Sequence, residues 1–292
     1  MPEQQVDPLL QPHPVIKIEG QRELRNWREF PWWFVALLII AGLAAYTIYT
    51  QENYSEAFVW IKAGLQVTLS ISLISYFIAV FLGLITGLSR LSSNIFLNNL
   101  ARLYVELIRG VPMIVLIFFI ALVGVPAVVD GLNNLGYWFE QQGLTLPAMV
   151  LTSFSNKSFP MTVRAVVALS VTYGAFIAEI FRAGIQSIGR GQMEAARSLG
   201  MSSGQAMFHI ILPQAIRNVL PALGNDFVAM VKDSSLVSVL AVRDITQISR
   251  LYAGSTFRFR EAYMTLSVMY LTLTVALSLL LQAFERRLRR ND

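Results

Sequence analysis

Polar and apolar residues separate along this chain into long blocks, not into the short alternations of a water-soluble fold. The block at 31–49 carries no charge and opens on Trp32 and Trp33, side chains suited to a membrane interface. Further apolar blocks run over about 63–88, 103–129, 162–181, 220–242 and 262–284. Each is close to the roughly 20 residues that an α-helix needs to cross a bilayer's hydrocarbon. The pattern predicts an all-α membrane protein of about six spans, and an even number of spans puts both termini on one face.

Charge decides which face. Residues 1–30 are polar, with Pro2, Pro8, Pro12 and Pro14, and then Arg22, Arg25 and Arg28, so they read as a flexible cytoplasmic tail. A signal peptide competes for the 31–49 block, but that block exceeds a usual apolar h-region and no small-residue cleavage site follows before Gln51. Lys17 and the tail arginines at one end, and the basic run 285–292 with Arg286, Arg287, Arg289 and Arg290 at the other, place both ends in the cytoplasm. Arg182, Arg190, Arg197 and Arg217 fall on the same side, whereas 131–159 supplies only Lys157 to the other. One loop dissents: Arg243, Arg250, Arg258 and Arg260 follow the fifth block on the expected outer face.

Composition agrees with a lipid-facing surface: 55% of the 292 residues are apolar and 14% charged, against about 25% charged in soluble domains. The net charge of +5 is spread over the flanks of the apolar blocks, a distribution that speaks for topology and against a nucleic-acid partner. Cysteine is absent, which removes disulfides, thiol chemistry and thiolate metal sites. His13 and His209 are isolated, so no metal site is expected, and no nucleophile and base pattern marks a catalytic residue. Lys17, Lys62, Lys157 and Lys232 lie in no glycine-rich frame that would cradle phosphates, so the chain is expected not to hydrolyse ATP.

The polar segment 183–220 is the informative one, because connections of that length usually carry a function. It holds Glu194, Ala195 and Ala196, then Gly200 and Met201, then Ile210, Leu212 and Pro213. Small alanines on a short helix permit close approach to a partner, Gly200 can end that helix, and Pro213 can restart the chain. With this loop the sequence resembles the permease subunits of bacterial ABC importers of the type I fold. More narrowly it resembles their polar amino acid group, for histidine, glutamine, glutamate and arginine. The narrower likeness rests on Tyr104-Val105-Glu106-Leu107-Ile108-Arg109-Gly110-Val111-Pro112, Ala178-Glu179-Ile180-Phe181-Arg182-Ala183-Gly184, Leu220-Pro221-Ala222-Leu223-Gly224-Asn225-Asp226 and Lys232-Asp233-Ser234-Ser235-Leu236.

The resemblance covers about 61–284 and leaves 31–49 with its tail as an amino-terminal addition. It implies that Glu194 touches a separate ABC ATPase, that Gly200 turns a coupling helix, and that the ATPase binds ATP and Mg, this chain needing no cofactor. It further implies a second permease subunit, an extracytoplasmic substrate-binding protein and a place in the cytoplasmic (inner) membrane. An amphipathic loop lying on the membrane is the competing reading of 183–220. Ser202-Ser203-Gly204-Gln205 faintly resembles the signature of the ATPases themselves, a reading the missing phosphate loop excludes.

Polar groups inside spans are costly unless they face water, a partner or a ligand. The fifth block holds Asn225, Asp226, Lys232, Asp233, Ser234 and Ser235, with Asp226 and Asp233 on nearly one helical face. A lysine and an aspartate at mid-depth suit the carboxylate and ammonium of an amino acid. Pairing between helices, and serine bonds to backbone carbonyls, are the alternative. Glu106 with Arg109 and Glu179 with Arg182 have the i, i+3 spacing of ion pairs, structural or gating. A transporter or channel driven by an ion gradient, with Asp226 and Asp233 as ion sites, is the other functional class, and a non-transporting scaffold a third.

Overall fold

The computed structural model describes residues 32–289, so the tail read at 1–30 and the last three basic-end residues lie outside the described residues. Among those described, the chain is helical with no strand. The contacts divide it into two units, and α1 (Trp32–Thr50) belongs to the first, residues 1–46, over most of its length. It is apolar all round, with Leu38, Ile39, Ile40, Leu43 and Tyr46 exposed, as a lipid-facing helix would be.

The second unit starts with α2 (Glu52–Ile61), which passes through a 3₁₀ turn into α3 (Leu65–Arg90). Then come α4 (Ile95–Gly110), α5 (Met113–Phe119), α6 (Val125–Gln141), α7 (Thr145–Thr152) and α8 (Met161–Gln186). After these follow α9 (Arg190–Ser198), α10 (Ser203–Ala206), α11 (Leu212–Asp233), α12 (Ile245–Thr256) and α13 (Phe259–Arg289). Among the described residues, four helical stretches are long and apolar enough to cross a membrane: Glu52–Arg90, Met113–Gln141, Met161–Gln186 and Phe259–Phe284. α1 supplies a shorter apolar helix, Val35–Thr50, while α11 has the length but carries Arg217, Asn225, Asp226, Lys232 and Asp233.

Two expected spans differ in detail. The block at 103–129 is not one helix, because Pro112 has no N–H to continue the α4 ladder and the chain is extended at Val111. The crossing therefore begins at Met113, and residues 103–110 belong to the separate amphipathic α4. The fifth block starts earlier, at Leu212, and its α-helix stops at Asp233, where Ser234–Leu240 tightens into 3₁₀ turns before Ala241 turns left-handed at φ 57°.

α8 is the centre of the unit: 61% of its most apolar window is buried, against 11% for that of α13. α3 packs closely along it, and a Cβ on Gly83 would come within 2.5 Å of the Ile177 side chain. Arg164, near the start of α8, is buried without a carboxylate partner among the described residues. Its Nε donates to Phe159 O at 2.8 Å, Nη1 to Ala121 O at 3.1 Å and Nη2 to Asn156 O at 3.0 Å. Ala121 lies in a π-turn, Ile120–Gly124, whose wider spacing leaves a carbonyl free to accept. In the dissenting basic loop one of the four arginines finds a local partner, Arg258 bonding Glu56 at 2.5 Å.

At the other side of the unit, the turn into α12 presses on the start of α3. Asp244 is fully buried and caps α12 through Gln247 N at 2.8 Å, while Thr68 Oγ1 accepts from Ile245 N at 3.2 Å. Burial pushes the Asp244 carboxyl above its ordinary range. Gly64 makes this contact possible, since a Cβ there would sit 2.5 Å from the Asp244 backbone carbon, whereas one on Gly131 would meet nothing within 4 Å. Gly64→Ala is expected to cost about 1–3 kcal/mol by overpacking, read as a lower unfolding temperature of the detergent-purified protein. Gly131→Ala should leave it equal or higher, and equal stability of the two variants would refute the tight contact.

Candidate functional site

Two groups of predicted residues take on geometry in the structure. The first is α9 with its exit. Glu194 and Ala195 are exposed on it and Ala196 is buried at 4% exposure. The helix closes in a Schellman motif: Gly200 N donates to Arg197 O at 3.0 Å and Met201 N to Ala196 O at 3.1 Å. That closure needs the left-handed backbone of Gly200, at φ +83°, where a Cβ is strained. It leaves Leu199 projecting at 85% exposure. The Ser202–Gln205 tetrapeptide is a capping box: Ser202 Oγ accepts from Gln205 N at 3.3 Å and Gln205 Oε1 from Ser202 N at 2.9 Å. A π-turn, Met207–Ile211, then precedes Pro213 in the first turn of α11, where proline's missing N–H costs no helical bond.

The second group surrounds the end of α11. Asp233 accepts a hydrogen bond from the Tyr173 hydroxyl at 2.8 Å, and Tyr173 stands near the middle of α8. The 3₁₀ switch thus lies deep in the bundle, level with the centre of a crossing helix. Asp226 is half-buried, makes no hydrogen bond among the described residues, and lies within electrostatic range of Asp233, Tyr76 and Tyr173. Lys232 and Asn225 are exposed, and Lys232 makes no ion pair with Asp233. Ser234 is buried and donates to Val231 O at 2.7 Å, and Ser235 is half-buried. Tyr76 donates to Leu223 O at 2.5 Å and stacks at a tilt on Phe227. Beside it lies a cavity of about 340 Å³ lined by Leu73, Phe77, Leu220, Leu223, Leu281 and Phe284 among others. With no charged lining, that cavity suits apolar matter, not a zwitterion.

Of the two expected ion pairs one forms. Glu179 binds Arg182 through both Nε and Nη2, and its other oxygen binds Arg90 from the end of α3. Arg182 also donates to Gln186 at 2.6 Å, and Asn98 ties the Arg90 carbonyl at 2.6 Å. Glu106 and Arg109 do not pair. Arg109 lies instead over the Phe176 ring, 5.9 Å from its centre, because α4 leans its other face on α8 through Tyr104, Val105 and Ile108. Sequence reading missed Arg90, Tyr76, Tyr173 and Arg164. The lone arginine in the block 162–181 was a readable signal, whereas the others are marked only by contacts across helices.

Residues 79–290 match the family described as binding-protein-dependent transport system inner membrane component. A probable glutamine ABC transporter permease protein of Bacillus subtilis is 38% identical over 228 residues, 78% of this chain and 93% of that relative. The glutamine transport system permease protein of Escherichia coli is 31% identical over 226 residues, 77% of this chain and 91% of that one. A solved amino acid ABC transporter with histidines overlays at a TM-score of 0.62 with 35% identity, covering 80% of this chain and 95% of that chain. The inward-facing methionine ABC transporter MetNI overlays at 0.59 with 21% identity, a likeness of fold.

The Glu179 cluster yields a stability test independent of transport. Arg90 is 11% exposed and Glu179 26%, so Glu179→Gln leaves two cations without their counter-charge in a half-buried site. A loss of about 1–3 kcal/mol is expected, seen as a melting temperature several degrees lower. An unchanged melting temperature would show the cluster to be solvated and slack.

Proposed function

The chain belongs to the binding-protein-dependent transport system inner membrane component family, and from that premise we propose that it is the permease subunit of an ATP-driven importer of polar amino acids. The observation that carries the proposal is α9: a short helix, closed by a Schellman turn, that presents Glu194, Ala195 and Leu199 to solvent between two long helices. Such a rigid peg can pass a push from a partner into α8, which it follows at once, and into α11 through α10 and the π-turn. Lacking a phosphate-binding loop, the chain takes its energy from ABC ATPase subunits that bind ATP and Mg. A second permease subunit and an extracytoplasmic substrate-binding protein complete the complex, in the inner membrane of a bacterium with both termini cytoplasmic. The permease core is the part matched at 79–290, and α1 with its tail is an addition to it.

In this reading Glu194, Ala195, Ala196, Gly200, Met201 and Pro213 form the coupling segment. Asn225, Asp226, Lys232, Asp233 and Ser235 line the substrate pathway where α11 turns into 3₁₀, with Tyr173 orienting Asp233. An exposed ammonium beside carboxylates at mid-depth offers both charges that a zwitterion needs. Ser234 is satisfied by its own helix and acts structurally. The Arg90, Glu179 and Arg182 cluster ties the inner ends of α3 and α8 as part of a cytoplasmic gate.

Two substitutions test the reading in the complex reconstituted into vesicles. Gly200→Val, which forces a β-branched residue into left-handed backbone, and Glu194→Arg should each reduce ATP-dependent uptake at least tenfold in complexes that still hydrolyse ATP or that lose the ATPase. Normal coupling in both would refute α9 as the dock. Asp233→Asn and Lys232→Met should raise the amino acid concentration for half-maximal uptake severalfold. A defect confined to assembly would instead assign the two residues to structure.

A further inference from the structure

The turn into α12 holds a carboxyl that the permease reading does not use. Asp244 is fully buried at the capping position of α12, where its Oδ1 accepts from Gln247 N at 2.8 Å. Its Oδ2 is equally buried, and no donor among the described residues is aligned on it. The Thr246 and Tyr270 hydroxyls stand beside the carboxyl, but they bond each other at 2.9 Å, which leaves at most one of their two protons for it. Ser234, beside Tyr270, gives its proton to Val231 O at 2.7 Å, and Thr68 gives its own to Gly64 O at 3.2 Å. Gln247, in the first turn of α12, carries a buried Oε1 that receives no donor among the described residues.

No counter-charge reaches this carboxyl. Arg243, its neighbour in the chain, and Lys62, just before α3, are both exposed. Glu56 on α2 binds Arg258, Asp233 at the end of α11 binds Tyr173, and α13 meets the carboxyl with the Tyr270 hydroxyl. Lysine and arginine are absent from the groups that act on Asp244. An ionised carboxylate so placed is strongly unfavourable, and the capping N–H groups of Thr246 and Gln247 and the α12 dipole offset this in part. Burial prevails and holds the carboxyl above its ordinary range. In the protonated acid, Oδ1 still caps α12 as a carbonyl oxygen, and the proton on Oδ2 supplies the donor that the pocket lacks.

We propose that Asp244 is a proton-binding site that latches α12 to α3 and α13: with the proton on Oδ2 the contact is closed, and loss of the proton draws water into the turn and loosens it. The tightness of the contact gives the proton its leverage, since a Cβ on Gly64 would already sit 2.5 Å from the Asp244 backbone. Tyr270 carries the effect onward, because it lies against Ser234, the first 3₁₀ residue after α11 and the neighbour of Asp233. The stability that such a carboxyl contributes is present below the ordinary aspartate value of about 3.9. It is lost as the pH rises through the higher value of the folded chain. The latch goes beyond the permease reading and does not depend on it.

Asp244→Asn tests the latch, because asparagine caps a helix as well and carries a fixed N–H donor in place of the proton. Thermal unfolding of the detergent-purified full chain is followed from about pH 5 to about pH 9. Parent and variant should melt alike at the acid end, and the parent should fall several degrees below the variant as the pH rises. The infrared spectrum of the parent should show a carboxylic-acid carbonyl band that fades over the same range and that the variant lacks. A constant difference in melting at every pH, or a variant that is less stable throughout or fails to fold, would mean that the turn needs the ionised carboxylate, and overturns the latch. If sodium chloride protects the parent at alkaline pH where potassium chloride does not, and Asp244→Asn is indifferent to both, the site holds sodium and the proton is overturned. In vesicles with the partner subunits, uptake by the parent should decline with pH more steeply than uptake by Asp244→Asn. Lack of uptake in both would count against the permease reading, and the melting and infrared results would still decide the latch.

Discussion

A charge in hydrocarbon must find a counter-charge, a dense set of dipoles or water, and this requirement organises the whole bundle. Two of these solutions appear in the bundle. Arg164 spends its guanidinium on the carbonyls of Phe159, Ala121 and Asn156, the second exposed by a π-turn. Glu179 draws Arg90 and Arg182 into one cluster and so joins two crossing helices near their ends. Asp233 takes the Tyr173 hydroxyl where α11 loses its α-helical form. Asp226 and Lys232 have no ion pair among the described residues.

The division follows helix packing. α8 is buried along most of its length, and Gly83 lets α3 approach it closely enough for Arg90 to reach Glu179. Tyr76 from α3 and Tyr173 from α8 then hold α11 at its Leu223 carbonyl and its Asp233 carboxylate, one on either side of Asp226. The connection from α8 through α9 to α11 contains few joints, a Schellman turn, a capping box and a π-turn. In the proposed reading, motion of α9 is delivered to the same two helices that carry the polar lining, which links the supply of energy to the pathway without further parts.

How much of this was legible depended on range. Apolar blocks announced the crossing helices, since length and hydropathy are local properties, and the Glu194 to Gly200 spacing announced a capped helix for the same reason. Pro112 was a visible stop, yet the continuous apolar block over it concealed that α4 and the following crossing are separate. The expected Glu106 to Arg109 pair failed because Phe176, distant in sequence, offers Arg109 a ring face. Arg90 and Tyr173 could not be found from spacing at all, because each acts on a residue of another helix.

In the proposed reading, what powers the protein and what it carries are written in different segments: α9 for the first, and the turn from α11 into 3₁₀ for the second. The most direct test of the account is uptake of a panel of labelled amino acids by vesicles holding this chain, its ATPase and its binding protein. The account predicts accumulation of at least one polar amino acid that requires ATP and both partners, and no uptake by the chain alone under an ion gradient. Gradient-driven uptake by the chain alone, or ATP-dependent uptake of no polar amino acid in the panel, would contradict it.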